Sequence, residues 1–259
     1  MQHPDAATAS VPSPPHTRPS PPPPADDWAL FLDVDGCLLE FAPRPDAVVV
    51  PPGLPERLVA LRQRLDGALA LVSGRGIATL DALFAPQRFH AAGLHGVERR
   101  TPDGIVAAAA APDALADVHA AASRLVAAHP GTLIEDKGAA LALHWRGAPA
   151  AEPALRAFAE QALPALPGYQ LQPGDHVLEL RPRHADKGSA ILAFLDETPF
   201  AGRRPVFAGD DLTDEHGFAA VNARDGLSIL VGDRAGSAAR FGLRNPAAVR
   251  RWLASTPGD

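Results

Sequence analysis

Two short acidic segments hold the residues most capable of chemistry. In the first, Leu32-Asp33-Val34-Asp35-Gly36, two carboxylates one residue apart follow an apolar run over residues 29–32. Side chains at i and i+2 of an extended chain share a face, and burying unpaired carboxylates is costly, so the pair needs a partner. Either these acids cap a following helix or sit in a solvated turn, or they hold a cation and act on an anionic substrate. In the second segment, Gly209-Asp210-Asp211-Leu212-Thr213-Asp214-Glu215, another apolar run over residues 205–208 ends in a cluster of acids. Two like charges about 4 Å apart repel by roughly 4 kcal/mol at an effective dielectric near 20. If the two segments face each other, they need a divalent cation, and hard carboxylate oxygens without a nearby cysteine or paired histidine favour Mg2+. A favourable helix start through the helix dipole is the alternative for some of these acids, though not for Asp210.

Two further segments can hold an anion. Ser73-Gly74-Arg75 follows the apolar run 68–72 and offers a hydroxyl and a backbone N–H at a helix start. Lys187-Gly188 opens a predicted helix, with Asp186 placed to cap it, and its ammonium can pair with phosphate. A serine in a turn or a lysine on a surface is commonplace. Four strand or helix ends converging on one point make a site.

A parallel sheet must position these residues. The runs 29–32, 68–72, 205–208 and 227–231 suit strands buried on both faces, with another strand near 89–92. Leu54, Leu58, Leu61 and Leu65 recur at helical spacing, and further helices are predicted through Leu80 and Leu83, through Ile191 and Leu195, through Phe218 and Val221, and after Pro246. Alternating strands and helices with the notable residues at strand ends is the pattern of a doubly wound α/β fold, whose ligands bind at the carboxyl ends of the strands. Asp33 and Ser73 are expected to meet there.

Between about residues 101 and 181 the pattern changes to helix, hairpin, helix, hairpin. Leu115, Val118, Ala122, Leu125 and Val126 form one stripe of a helix over 112–129, and a second helix is predicted over 152–163. The hairpins pair 132–135 with 140–145, and 169–172 with 177–181 across Pro173-Gly174-Asp175. The expected organisation is a doubly wound, Rossmann-like core from residues 27–100 and 182–259, an inserted α+β cap over 101–181, and a Pro-rich tail over 1–26.

Composition sets the outer bounds. With 259 residues, 46% of them hydrophobic, the chain can bury a full core. A formal charge of -6 without a basic stripe argues against nucleic acid. The single cysteine, Cys37, excludes an internal disulfide and a cysteine-based zinc site, and makes the cytoplasm the natural compartment. No segment has the apolar length of a membrane span or the layout of a signal peptide. The tail, with Pro21 to Pro24 in a row, is expected to be disordered and locally polyproline, either dispensable or a docking peptide.

Asp33-Val34-Asp35-Gly36, Ser73-Gly74-Arg75, Lys187-Gly188 and Gly209-Asp210-Asp211 resemble, in order, the four motifs of the haloacid-dehalogenase (HAD) superfamily of phosphatases. Gly93-Leu94-His95-Gly96-Val97-Glu98, Glu135-Asp136-Lys137-Gly138, Val177-Leu178-Glu179-Leu180-Arg181-Pro182 and the run from Gly209 to Glu215 resemble motifs of the trehalose-6-phosphate phosphatase family within it. The resemblance implies that Asp33 is the nucleophile and Asp35 the general acid and base. It implies Mg2+ on Asp33, the main-chain carbonyl of Asp35 and Asp210, supported by Asp211 and Asp214. Ser73 and Lys187 would clamp the phosphoryl group, and Arg75, His95, Glu98, Glu135, Lys137 and Glu179 would bind the sugar phosphate, with Arg146 a further candidate. His119, His129 and His144 are read as surface or strand-face residues. Cys37 and His184 depart from the family pattern, where Thr and Gly are usual. The implied activity is release of phosphate from trehalose 6-phosphate. Another sugar phosphate, such as sucrose phosphate or a hexose phosphate, and a non-catalytic sugar-phosphate sensor are the rival readings.

Overall fold

The computed structural model describes residues 18–42, 47–101, 104–107, 112–183 and 185–255. His184 and the first part of the tail lie outside them. In chain order the first core segment is β1 (Trp28–Leu32), α1 (Leu54–Arg64), β2 (Leu69–Val72), α2 (Ile77–Leu83), β3 (His90–Gly93), β4 (Glu98–Thr101) and β5 (Gly104–Ala107). An insert follows: α3 (Ala114–Ala127), β6 (Leu133–Asp136), β7 (Leu141–His144), α4 (Glu152–Ala162), β8 (Tyr169–Gly174) and β9 (Val177–Pro182). The core then resumes with α5 (Lys187–Leu195), β10 (Arg204–Gly209), α6 (Glu215–Asn222), β11 (Leu227–Val231), β12 (Phe241–Leu243) and α7 (Pro246–Trp252).

Core strands run in the order β12-β11-β10-β1-β2-β3-β4-β5, parallel as far as β3. Every residue of β1 is buried, because helices cover both faces of a parallel sheet and leave no side for water. Phe31 stacks on Phe200 at 5.4 Å between ring centroids and touches Phe194, so β1 is also the centre of the aromatic packing. The strand register places Leu32 beside Ala208 of β10 and Leu71 of β2. Asp33, Asp210 and Ser73 therefore leave three adjacent strands at one edge of the sheet.

Two sequence-based expectations need correction. The core sheet does not end near residue 100: β4 and β5 add an antiparallel hairpin that carries it to Ala107, so the insert's own elements begin with α3. Those strands lack the continuous apolar run of a buried parallel strand, which is why the sequence pattern missed them. Nor is residues 18–26 a disordered segment. Pro21 and Pro24 are buried, Arg18 Nε donates to the Ala239 carbonyl (2.9 Å), Gly242 N donates to Pro19 O (3.0 Å) and Trp252 Nε1 donates to Pro22 O (2.7 Å). Proline carbonyls accept hydrogen bonds as well as any others, and a polyproline strap loses little entropy on docking. Relative to a chain lacking residues 1–17, a chain lacking 1–26 should be less stable by about 2 kcal/mol, or ~4–8 °C. Thermal melts of the two truncations decide this, and equal midpoints would rule the strap out.

The insert forms its own four-stranded antiparallel sheet, β6-β7-β9-β8. Side chains alternate across it. Leu141, Leu143, Leu178, Leu180 and Tyr169 point to one face and pack with Leu115, Val118, Ala122, Leu155 and Ala159 of the two helices. Registers Glu135↔Ala142, Ala142↔Glu179 and Gln172↔Glu179 then put Glu135, His144, Glu179, Arg181, Gln170 and Gln172 on the opposite, polar face.

Candidate active site

At the carboxyl edge of the core sheet, Asp33 is buried and ion-paired with Lys187 Nζ at 2.9 Å. Lys187 opens α5 behind the capping box of Asp186 and Ser189, as expected, and its ammonium also meets Asp214 Oδ1 at 2.6 Å. Burial alone would discharge this lysine. The two carboxylates outweigh burial, and its pKa lies above the ordinary lysine value. Asp214, fully buried, uses Oδ2 to accept the backbone N–H groups of Asp210 (2.8 Å) and Asp211 (2.9 Å). It is a brace that holds the lysine and the acidic loop in one geometry.

One oxygen each from Asp33, Asp210 and Asp214 lies within 4.8 Å of the others. Asp214 is already committed to Lys187 and two N–H groups, whereas Asp210 Oδ1 is buried without a hydrogen-bond partner among the described residues. Burial, then the charges of Asp33 and Asp214, push the Asp210 carboxyl up to about 9. Burial likewise raises Asp33 to about 7, against the pull of Lys187. A pair of carboxyls that can ionise together only with help has the donor set for a hard divalent cation. Gly36 is required beside it: its φ is +79°, and a Cβ there would lie 2.2 Å from Asp210 Oδ2. Asp211 is exposed and caps the turn that follows it, accepting from Leu212 N at 2.5 Å. Cys37, behind the acids, donates to Ala208 O at 3.4 Å, and burial pushes its thiol pKa up, so it is an inert packed residue.

Beside the acids, the 73–77 loop is laced to the 93–98 loop. His95 N donates to Ser73 O (2.9 Å), Leu94 N donates to Arg75 O (3.0 Å), and the Glu98 carboxylate accepts from Ile77 N. Glu98 thus satisfies the first turn of α2 and shapes the loop that presents Ser73. Arg75 forks onto Asp35 with both Nε (2.6 Å) and Nη2 (2.8 Å), the bidentate geometry that suits a guanidinium and a carboxylate.

The polar face of the insert closes over this edge. Glu179 Oε2 is 3.8 Å from His95 Nε2 of the core and its Oε1 is 3.6 Å from Lys137 Nζ. Burial first, then Lys187, Arg181 and Lys137, hold His95 far below its ordinary pKa, so the ring is neutral. Its ring lies against Gly74, where a Cβ would come within 2.7 Å. Glu135 takes a hydrogen bond from His144 Nε2 (3.0 Å), which with Lys137 and then Arg75 holds its carboxyl below the usual range. Arg146 is elsewhere, in an exposed ion pair with Asp175 (2.7 Å).

Of the predicted residues, Asp33, Lys187, Asp210 and Asp214 converge around one centre, and His95, Lys137 and Glu179 line the seam between core and cap. His144, expected on a strand face, stands in β7 and bonds Glu135, whereas Arg181 and Arg234 were not singled out. Arg234 ties down the acidic loop by donating to Asp210 O (3.4 Å) and Asp211 O (3.2 Å), and no local pattern marks it. Arg181 did carry a signal, since it stands two residues after Glu179 in a strand.

Known proteins match this arrangement. The trehalose-phosphatase family matches residues 31–244. A Sinorhizobium fredii protein named "Probable trehalose-phosphate phosphatase" is 53% identical over 211 residues, 80% of this chain and 78% of its own. The "Trehalose-6-phosphate phosphatase" of Escherichia coli K12 is 47% identical over 227 residues, 87% of this chain and 85% of its own. A solved "trehalose-6-phosphate phosphatase related protein" superposes with a TM-score of 0.73 at 27% identity, covering 87% of this chain and 95% of that one. A HAD-superfamily phosphatase of Bacteroides thetaiotaomicron shares the fold, with a TM-score of 0.60 at 15% identity. Motif order, fold and identity over most of the length converge on one assignment: this chain belongs to the trehalose-phosphatase family.

Proposed function

We propose that this protein is a Mg2+-dependent phosphatase that hydrolyses trehalose 6-phosphate to trehalose and inorganic phosphate through an aspartyl phosphate on Asp33. The observation that carries the reading is the pairing of buried Asp33 with half-buried Asp210, whose Oδ1 is sealed and has no hydrogen-bond partner among the described residues, beside a lysine held charged by Asp33 and Asp214. Asp33, the main-chain carbonyl of Asp35 and Asp210 would hold Mg2+, which when bound neutralises the acids and offsets charge on the phosphoryl oxygens.

Asp33 attacks phosphorus in line, forming the Asp33 O–P bond as the bond from phosphorus to the sugar oxygen breaks. Asp35 gives the departing sugar oxygen its proton. Its carboxylate is gripped by Arg75, so taking up that proton requires the ion pair to loosen. A water then attacks the phosphorus as Asp35 takes its proton, the Asp33 O–P bond breaks, and inorganic phosphate leaves with the Asp33 carboxylate regenerated. Ser73 and Lys187 hold the phosphoryl oxygens throughout, and Asp214 keeps Lys187 aimed. The cap supplies Lys137 and Glu179 to the disaccharide through charge-assisted hydrogen bonds.

Phosphate release from a panel of sugar phosphates, with Mg2+ and then with chelator, tests the reading. Trehalose 6-phosphate should be preferred over sucrose phosphate and hexose phosphates, and chelator should stop turnover. Preference for another ester, or binding without release, favours one of the rivals. Glu135→Ala should raise KM for trehalose 6-phosphate about tenfold, the scale of one lost charged hydrogen bond, with kcat changed far less. An unaltered KM removes Glu135 from the sugar site.

A further inference from the structure

Arg181 is 3% exposed, and its Nε and Nη2 are sealed from solvent without a hydrogen-bond partner among the described residues. A buried guanidinium with idle N–H groups is expensive, and such groups are rarely left so. Glu179 and Asp186 are near enough to act on its charge, yet neither accepts from those two nitrogens. Two more buried atoms in the same seam have no hydrogen-bond partner among the described residues: Glu179 Oε1, whose nearest cation is Lys137 Nζ at 3.6 Å, and His95 Nδ1. The β9 register puts Arg181 beside Glu179 on the polar face of the cap sheet, two residues apart and opposite Gln170 and Gln172.

The idle atoms are of both kinds, donors on Arg181 and an acceptor on Glu179. A phosphate would satisfy the arginine and be repelled by the glutamate. A hydroxyl both accepts and donates, so two neighbouring hydroxyls satisfy arginine and glutamate together. Resting on the function proposed above, we propose that Arg181 is a specificity-determining residue: with Glu179 it binds vicinal hydroxyls of the sugar when the cap closes, and it does not bind the phosphate.

Full-length wild type, Arg181→Gln and Arg181→Lys are compared on trehalose 6-phosphate and on p-nitrophenyl phosphate, which has no sugar. Thermal midpoints are also recorded with and without trehalose. For Arg181→Gln, kcat/KM on trehalose 6-phosphate should fall about 30-fold, at least tenfold more than on the aryl ester, and the trehalose-induced rise in midpoint should vanish. Arg181→Lys keeps the charge but not the fork, should lose about fivefold on the sugar ester, and serves if the Gln variant does not fold. Equal losses on both substrates, no loss, or a surviving trehalose shift overturns the assignment. Wild type that fails to turn over trehalose 6-phosphate overturns the parent reading instead.

Discussion

Asp33→Asn should reduce phosphate release by about four orders of magnitude or more, the scale seen when a covalent nucleophile is lost, while the protein stays folded. The amide is nearly the same size and cannot attack phosphorus. Stability should not suffer, because burial already disfavours the ionised Asp33 carboxylate and Lys187 keeps its bond to Asp214. Acid quenching of enzyme mixed with substrate labelled at phosphorus should trap a phosphoprotein in wild type and none in the variant. Residual turnover within tenfold of wild type, or label retained on the variant, would remove Asp33 from the nucleophile's role. The same comparison separates an enzyme from a sensor, since binding alone has no use for this carboxylate.

Asp210→Asn should move activity and stability in opposite directions. Activity should drop roughly 1,000-fold, the several kcal/mol a bound cation contributes to phosphoryl transfer. In cation-free buffer the variant should melt higher than wild type at alkaline pH. The folded Asp210 carboxyl has a pKa of about 9, far above that of an unfolded aspartate. A carboxyl raised on folding keeps a proton that the unfolded chain has released, so stability falls as pH rises towards that value. His95, lowered on folding, acts with the opposite sign, but only near and below its ordinary value of 6.5. Asp33, also raised to about 7, is present in both proteins, so between pH 7 and 9 the comparison reads Asp210: cation-free wild type should lose about 2 kcal/mol relative to Asp210→Asn, ~4–8 °C in midpoint. Adding Mg2+ should restore the wild type at pH 9 and leave the variant unmoved. Parallel melting curves for the two proteins across this window would show that Asp210 does not carry the charge burden assigned to it.

The sequence made the catalytic edge legible because each acid or base stands at the end of a run whose hydrophobicity already defines a strand or helix. Asp33 follows β1, Ser73 follows β2, Asp210 follows β10 and Lys187 opens α5. In a parallel sheet the ends of successive strands lie on the same edge, so residues distant in sequence are brought together by topology alone. Hairpins of the cap were legible for the same reason, from alternation and turn residues. The antiparallel extension β4–β5 and the strap over residues 18–26 were not, since neither depends on a local apolar pattern: one is held by pairing to an edge strand, the other by proline carbonyls that accept from Gly242 N and Trp252 Nε1 near the far end of the chain.

Division of labour among the acids was likewise a tertiary matter. The run Gly209-Asp210-Asp211-Leu212-Thr213-Asp214 sets Asp210 apart at the strand end, but does not distinguish the aspartate that braces Lys187 from the one that caps a turn. Only the folded chain does so, through burial and the direction of N–H groups. That Glu98 also serves a helix start, and that Arg181 carries donors without a partner among the described residues into the seam, likewise shows only in the folded chain. Residue type and spacing determined the sheet, the insertion and the chemistry available at the strand ends, because hydrophobic periodicity is local. Which carboxylate is left without a partner was decided by tertiary structure, because burial and hydrogen-bond satisfaction depend on neighbours that the sequence order does not name.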